Sequence, residues 1–442
     1  MVVSMKQKIN LGIVCLVRHT FDFKAANEIY KKILTELETD ESIELYPVNE
    51  AVIESKEAIK AGKYFAEKHV DAIAVISGTF HLGHLVLEIK KWCDKPVLLW
   101  GLPELPYDGG KIRLNSVCGV NLNASNLTKS GHLDYTYTVS DNIDQDFLDA
   151  IRMIKVLKEA KVGILGSRAH GFFNVGVSEL ALYKKYGCLV DSYQLDEVFN
   201  YKEDSNRVNY YENKINKTFN TKGITKEQVS KTAILASKIE CFINDKGLDI
   251  LAIRCWPEFA AGFSIAPCAA MSILQDEGYI LACEGDIDCG LTMLCHKAIG
   301  ARTPFMADLS QVNLVEDYAL MWHCGVAPSS LCDGICTPTL DTYFAGGKGV
   351  TAGFVMKSGK VHVARLDSVN GEYRIFQETG KAIPMEKELS GTYAKCIFDN
   401  GLKKVLDKLV YSGTAHHLSM VYGDYTKAFE IFARLTNTEV IV

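Results

Sequence analysis

The sequence predicts an α/β protein: two doubly wound α/β domains followed by a C-terminal β-rich, barrel-like domain. Three observations predict it. Continuous apolar runs alternate with amphipathic helical stretches over the first part of the chain, and such runs suit strands covered on both faces of a parallel sheet. The alternation restarts near residue 156. After residue 310 the strands become short and are separated by Gly-rich or polar turns, which is antiparallel texture. The chain has 442 residues, and at roughly 150 residues per domain three domains fit. The expected boundaries are 1–155, 156–310 carrying the metal carboxylates, and 311–442 carrying a late histidine ligand.

The elements follow in order. Lys8 to Val17 reads as a strand, and Phe23 to Leu37 as a helix with Phe23, Ala26, Tyr30, Ile33 and Leu37 on one face. Ile43 to Val48 is a strand, Lys56 to His69 a helix, and Asp71 to Ile76 and Pro96 to Leu102 are buried strands. Asp146 to Ala160 is helical, and Lys161 to Gly166 is a strand that enters the glycine-containing turn 166–171. Cys188 to Leu195 is a strand, while the polar stretch Tyr201 to Lys222 reads as a surface excursion. Thr225 and Gln228 form a capping box for a helix that closes near Gly247. Ile250 to Arg254, Tyr279 to Cys283 and Pro304 to Ala307 are strands. Beyond them come the strands Thr351 to Met356 and Val361 to Leu366, then helical segments Gly401 to Leu409 and Tyr425 to Leu435.

Composition excludes several classes. Hydrophobic residues make up 48% and charged residues 23%, which rules out global disorder. A formal charge of −6 spread along the chain argues against nucleic acid as a partner. No apolar run is long enough to span a membrane. Leu11 to Val17 ends in Arg18 and His19 without a cleavage site, so it reads as a buried strand and not an export signal. The 14 cysteines are therefore expected to be reduced thiols in the cytoplasm.

In open parallel sheets, ligands bind beyond the carboxyl ends of the strands. Glu284 and Asp308 end two strand candidates with one helix between them, so their strands are expected to be sheet neighbours. Two carboxylates at one rim repel unless a proton or a cation sits between them. The structural alternative is that Glu284 caps the helix opening near Asp286 and Asp308 caps a turn. Histidine favours the cation. Gly413 to His417 holds His416 and His417, of which extended backbone would aim only one into a given site. His323 follows shortly after Asp308. This mixed oxygen and nitrogen set suits a labile divalent ion such as Mn²⁺.

Other features are weaker. Residues 166–176 lack the dinucleotide fingerprint and Ala345 to Val350 is not a Walker loop. Cys332 and Cys336 with Cys324 have no second paired cluster and read as buried thiols. Trp256 and Glu258 follow a strand, where a ring can stack on a sugar face and a carboxylate can accept from hydroxyls. His81 and Arg18 occupy the corresponding rim of the first domain.

Cys283-Glu284-Gly285-Asp286, Phe305 to Asp308 and Gly413 to His417 together resemble the L-fucose isomerase and L-arabinose isomerase family. The resemblance implies a Mn²⁺ site held by Glu284, Asp308 and His417, with Co²⁺ or Mg²⁺ as substitutes. It places His323 where the arabinose enzymes carry a further histidine ligand, although the proline that follows it there is absent. It implies a homo-oligomer, a hexamer being favoured, in which Arg18 and His81 serve a neighbour's pocket. The substrate would be a monosaccharide. Arg18, His81, Arg168 and His170 leave room for an acidic, sulfonated or phosphorylated one.

The expected activity is metal-dependent aldose–ketose isomerisation through a cis-enediolate, with Glu284 and Asp308 exchanging the base and acid roles. Two alternatives stay open: a sugar-binding or regulatory protein without turnover, and a metal-dependent lyase or aldolase using the same enediolate.

Overall fold

The computed structural model describes residues 6–107, 109–301, 303–343 and 345–442. Residues 1–5 of the first expected domain lie outside that range. The chain divides into two compact units, residues 6–155 with 427–439, and residues 156–426 with 440–442.

In the first unit, β1 (Ile9–Leu16), β2 (Ile43–Pro47), β3 (Ala72–Ser77), β4 (Val97–Gly101) and β5 (Tyr135–Val139) form a parallel sheet in the order β2-β1-β3-β4-β5. Every residue of β3 and β4 is buried, which is why the sequence shows uninterrupted apolar runs there. The helix Phe23–Leu37 buries Ala26, Tyr30, Ile33, Leu34 and Leu37, and Asp22 caps it by accepting from the Ala25 N–H.

The second unit opens with another parallel sheet, β6 (Lys161–Leu165), β7 (Leu189–Tyr193), β8 (Ile250–Ile253) and β9 (Ile280–Cys283), ordered β7-β6-β8-β9. The expected capping box is present: Thr225 accepts from the Gln228 N–H at 3.1 Å and Gln228 accepts in return at 2.9 Å. The stretch read as a surface excursion is instead largely a helix, Ser205–Thr218. It buries only Tyr211 and Ile215, too few apolar positions to show a helical period. Its burial is supplemented by polar pairing, with Arg207 Nε donating to Glu240 at 2.7 Å.

The next strands are β10 (Phe305–Asn313), β11 (Tyr318–His323), β12 (Thr339–Asp341), β13 (Thr351–Val355), β14 (Gly359–Val369), β15 (Glu372–Ile383), β16 (Thr392–Phe398) and β17 (His417–Tyr422). They form one large mixed sheet in the order β12-β13-β16-β11-β10-β17-β14-β15, and β15 also pairs with β16. Ladders therefore run in a cycle through β10, β11, β16, β15, β14, β17 and back to β10. This corrects one expectation. β10 does not lie beside β9 in a parallel sheet; it pairs antiparallel with β11 and β17. The helix Ile287–Ala298 thus passes the chain from one sheet to the other. Among the described residues no helix is long and apolar enough to cross a membrane.

Candidate metal centre

Glu284 follows the fully buried β9 and sits in a left-handed conformation at φ 62°, with Gly285 next at φ 77°. A non-glycine residue held there costs of order 1–3 kcal/mol and persists only where its surroundings impose it. They do so here. The Ala169 N–H donates to the Glu284 carbonyl at 2.9 Å, and the Gly285 N–H donates to Ile253 at the end of β8 at 3.1 Å. A Cβ on Gly285 would meet the Ser167 carbonyl oxygen at 2.6 Å and the Arg168 Cα at 2.7 Å, so only glycine fits that turn. Asp286 then caps the helix Ile287–Ala298, accepting from the Cys289 N–H at 3.0 Å.

Asp308 lies within β10, in register with His417 on one neighbour and Trp322 on the other. His417 is 1% exposed and its Nε2 stands 3.4 Å from Glu284 Oε2 and 3.9 Å from Asp308 Oδ1. His417 Nε2 therefore stands near both carboxylates, which come from the rim of the parallel sheet and from a strand of the mixed sheet, while the ligand atoms that all lie within 4.8 Å of one another are those of Glu284, His416 and His417. Asp308 Oδ1 is a buried acceptor without a hydrogen-bond partner. Two carboxylates, one with an orphaned buried oxygen, and imidazole nitrogen fit a hard or borderline divalent cation.

His417 Nδ1 lies 2.9 Å from Asp286 Oδ2. Burial opposes ionisation of Asp286, but the Arg365 charge and the His417 hydrogen bond overcome it and hold the carboxyl well below the usual range. A carboxylate only accepts, so His417 Nδ1 donates to Asp286, and in the neutral ring Nε2 then presents its lone pair toward Glu284 and Asp308. Arg365 is fully buried and binds Asp286 through two nitrogens at 2.7 and 3.1 Å, Asp367 at 3.1 Å and the His417 carbonyl at 3.0 Å. Sequence reasoning missed this support. Asp286 carried only a helix-start signal, and Arg365 sat in a strand whose polar residues gave no sign of a partner.

The expectation that only one of the paired histidines enters the site is overturned. His416 Nε2 is also 3.4 Å from Glu284 Oε2, and the two imidazole centroids are 4.1 Å apart. β17 begins only at His417, so the alternation of extended backbone does not apply across the bend at His416. Asn174 Nδ2 lies 3.0 Å from His416 Nδ1, and the Phe172 ring lies 5.5 Å from the His416 ring, so the loop after β6 supports this side chain. Burial pushes the Glu284 carboxyl up, but the His416 hydrogen bond and the charges of His417 and His323 outweigh it and hold it below its ordinary value. The same contact raises His416.

His323 is placed differently. Its Nδ1 accepts from the Cys324 N–H at 2.9 Å and stands 3.3 Å from Cys324 Sγ. Its nearest potential ligand partners are Cys283 and Cys324, whereas Glu284 groups with His416 and His417. Trp256 is 44% exposed just past β8, the strand beside β9. Glu258 pairs with Arg254, and Glu258 Oε2 and Arg254 Nε are both buried without hydrogen-bond partners. Arg18 and His81 belong to the first unit. His81 is fully buried, its Nδ1 2.9 Å from the Thr79 carbonyl and its Nε2 3.2 Å from Asn123 Oδ1. The Arg18 N–H donates to Thr79 Oγ1 at 2.8 Å.

Carboxylates and imidazoles gathered behind a strained turn, on an α/β scaffold, define an enzyme-type polar site. Residues 12–160 match the family described as fucose/sulfoquinovose isomerase, N-terminal domain. A sulfoquinovose isomerase of Priestia megaterium is 27% identical, the match covering 96% of this chain and 97% of that protein. One from Alkalicoccus urumqiensis is 27% identical over 84% and 86%, and one from Clostridium sp. 23% over 78% and 80%. A solved periplasmic solute-binding protein from Actinobacillus succinogenes, with bound D-allose, is 14% identical and covers 58% of this chain and 83% of that chain, and its TM-score of 0.17 carries no argument. The family match and the sulfoquinovose isomerase relatives support an isomerase enzyme similar to the fucose isomerase-like family.

Proposed function

We propose that this protein is a metal-dependent aldose–ketose isomerase whose substrate is a sulfonated hexose. The substrate class rests on the relatives, which are named for sulfoquinovose and align along nearly their whole length. The chemistry is supported by one observation: His417 Nε2 stands 3.4 Å from Glu284 and 3.9 Å from Asp308, while its Nδ1 is held by Asp286 at 2.9 Å. Glu284, Asp308 and His417 would hold the cation, Mn²⁺ in our reading, with Co²⁺ or Mg²⁺ as substitutes. When bound, such an ion supplies Lewis acidity to vicinal sugar oxygens. Glu284 and Asp308 take the proton from one of carbons C1 and C2 and return it to the other across a cis-enediolate. His416 hydrogen-bonds Glu284 and sets which oxygen is free for that transfer. Trp256 and the Arg254–Glu258 pair offer a ring face and orphaned polar atoms to the sugar.

The cyclic ladder of the mixed sheet is read as a barrel that carries Asp308 and His417. The free thiols, Cys15 to Cys396, suit a reducing cytoplasm. A homo-oligomer, favoured as a hexamer, would bring Arg18 of one subunit to its neighbour's site. Sedimentation of Arg18→Ala and wild type would separate assembly from binding.

The deciding experiment strips the metal, adds Mn²⁺, Co²⁺ or Mg²⁺ in turn, and follows ketose formation by NMR from sulfonated and neutral aldoses. Metal-restored conversion of the sulfonated aldose is expected. Cleavage products would make the protein a lyase, and a tightly held, unconverted sugar would make it a binding protein. Full turnover after exhaustive chelation would remove the metal from the mechanism.

A further inference from the structure

Directly behind Glu284 lies a second cluster of chemically active groups that isomerisation does not use. Cys283 ends β9, Cys324 follows β11 and Cys268 opens the helix Cys268–Asp276. Their side chains are 0%, 7% and 1% exposed, and His323 beside them is 2% exposed. Cys268 Sγ and Cys324 Sγ are 3.7 Å apart, and Cys324 Sγ and His323 Nδ1 are 3.3 Å apart. The ligand atoms of Cys283, His323 and Cys324 all lie within 4.8 Å of one another.

These spacings can be compared with coordination geometry. With Zn–S near 2.3 Å and Zn–N near 2.0–2.1 Å, a tetrahedral site sets two sulfurs about 3.8 Å apart and a sulfur and an imidazole nitrogen about 3.6 Å apart. The Cys268–Cys324 and Cys324–His323 edges are close to these, and Cys283 stands within 4.8 Å of Cys324 and His323, whereas Cys268 lies outside that mutual group. His323 Nδ1 accepts the Cys324 N–H at 2.9 Å, so its one lone pair turns from that hydrogen bond to the metal when the site is loaded. Cys255 Sγ is 3.0 Å from Cys283 Sγ, too close for two ligands of one ion, and receives no ligand role.

We propose that Cys283, Cys324 and His323 form a second metal site of this chain, sulfur-rich and selective for Zn²⁺, with Cys268, 3.7 Å from Cys324, moving in as the fourth ligand. Thiolate and imidazole donors prefer a thiophilic ion, whereas the carboxylate-rich site one residue further along suits Mn²⁺. The two sites thus sort two metals by donor hardness across the single peptide bond between Cys283 and Glu284. Binding releases the three thiol protons to solvent, leaving three thiolates and a neutral imidazole on the ion. With all its ligand positions filled by protein, the site is structural. It ties the end of β9, which carries Glu284, to β11.

The test titrates the metal-free, reduced protein with Cd²⁺ and Zn²⁺. One Cd²⁺ per chain should give thiolate-to-metal charge-transfer absorption and a ¹¹³Cd resonance in the sulfur-coordinated range. Zn²⁺ should displace it one for one. Glu284→Gln and the Cys332→Ser/Cys336→Ser pair should keep the signal, and Cys324→Ser should lose it. The idea fails if wild type shows Cd²⁺ resonances only in the oxygen and nitrogen range. It also fails if the sulfur signal survives Cys324→Ser and disappears with Cys332 and Cys336. The ¹¹³Cd measurement on wild type needs no variant to fold, and it is independent of turnover and so of the isomerase reading.

Discussion

Replacing Asp286 by Asn probes the support of the candidate metal centre. Four donors converge on this buried carboxylate. Oδ2 accepts from Arg365 Nη1 at 2.7 Å and His417 Nδ1 at 2.9 Å, and Oδ1 accepts from Arg365 Nη2 at 3.1 Å and the Cys289 N–H at 3.0 Å. An amide keeps one acceptor and turns the other into a donor. Either orientation therefore sets an NH₂ group against two donors. If it faces His417, the imidazole is driven to the tautomer with the proton on Nε2, and the lone pair toward Glu284 and Asp308 is lost. Removing one partner of a buried ion pair costs about 3–5 kcal/mol. Asp367 still holds Arg365 Nε at 3.1 Å, so the low end of that range, about 3 kcal/mol, is expected. Loss of a carboxylate behind a ligating histidine lowers metal affinity about 10–100-fold. The assays are denaturant unfolding and a Mn²⁺ binding isotherm taken where the variant is fully folded. Wild-type Mn²⁺ affinity in a folded Asp286→Asn protein would refute the argument that Asp286 fixes the His417 tautomer.

Glu284→Gln should lower kcat by at least about 100-fold with far-UV circular dichroism unchanged, as expected for loss of a positioned proton-transfer group; wild-type rates would end that assignment. Gly285→Ala should destabilise by at least about 1–2 kcal/mol, the cost of a left-handed L-residue, with more from the collision of its Cβ with the 167–168 backbone, read as a fall in Tm. Asp288 gives a pH prediction. Burial pushes its carboxyl up to about 7, while its Oδ1 accepts from Tyr373. The folded state then holds a proton that the unfolded state releases near pH 4, so stability falls as pH rises from about 4 to 7. At about 1.4 kcal/mol per unit, the loss reaches roughly 4 kcal/mol at most. Asp288→Asn should flatten the Tm–pH profile in that window and leave Tm unchanged near pH 4.

The parts of this molecule written in local patterns were legible from its sequence. β3 and β4 are uninterrupted apolar runs because both faces are covered, and the Thr225 to Gln228 capping box is a four-residue signal that needs no tertiary context. Glu284 and Asp308 stood out as acids ending apolar runs, and His417 as one of an isolated histidine pair. What escaped is what only packing decides. The sheet partner of β10 depends on β17, more than a hundred residues later, and no local spacing reports it. Arg365 is one of several polar residues in its strand, and its role shows only once Asp286 is seen against it. The helix Ser205–Thr218 has its buried positions too sparsely spaced to be read as a period.

The partner exchange of β10 also explains why the site is built as it is. Had β10 lain beside β9, two carboxylates would have met at one rim with nothing cationic between them. Pairing β10 with β17 instead puts His417 in register with Asp308 and brings its ring to Glu284. Asp286, two residues after Glu284, then reaches the far nitrogen of the same ring. One imidazole thus connects the end of the parallel sheet to the mixed sheet, and Arg365 from β14 neutralises the acid that orients it. This arrangement requires the two sheets to be in contact before the site exists. Conditions that loosen the mixed sheet should therefore abolish cation binding before they unfold β6 to β9. Hydrogen exchange with and without Mn²⁺ would show this as protection gained at β10 and β17. Protection gained only at β9 would mean that the cation is held by Glu284 and its own turn, without His417 and Asp308.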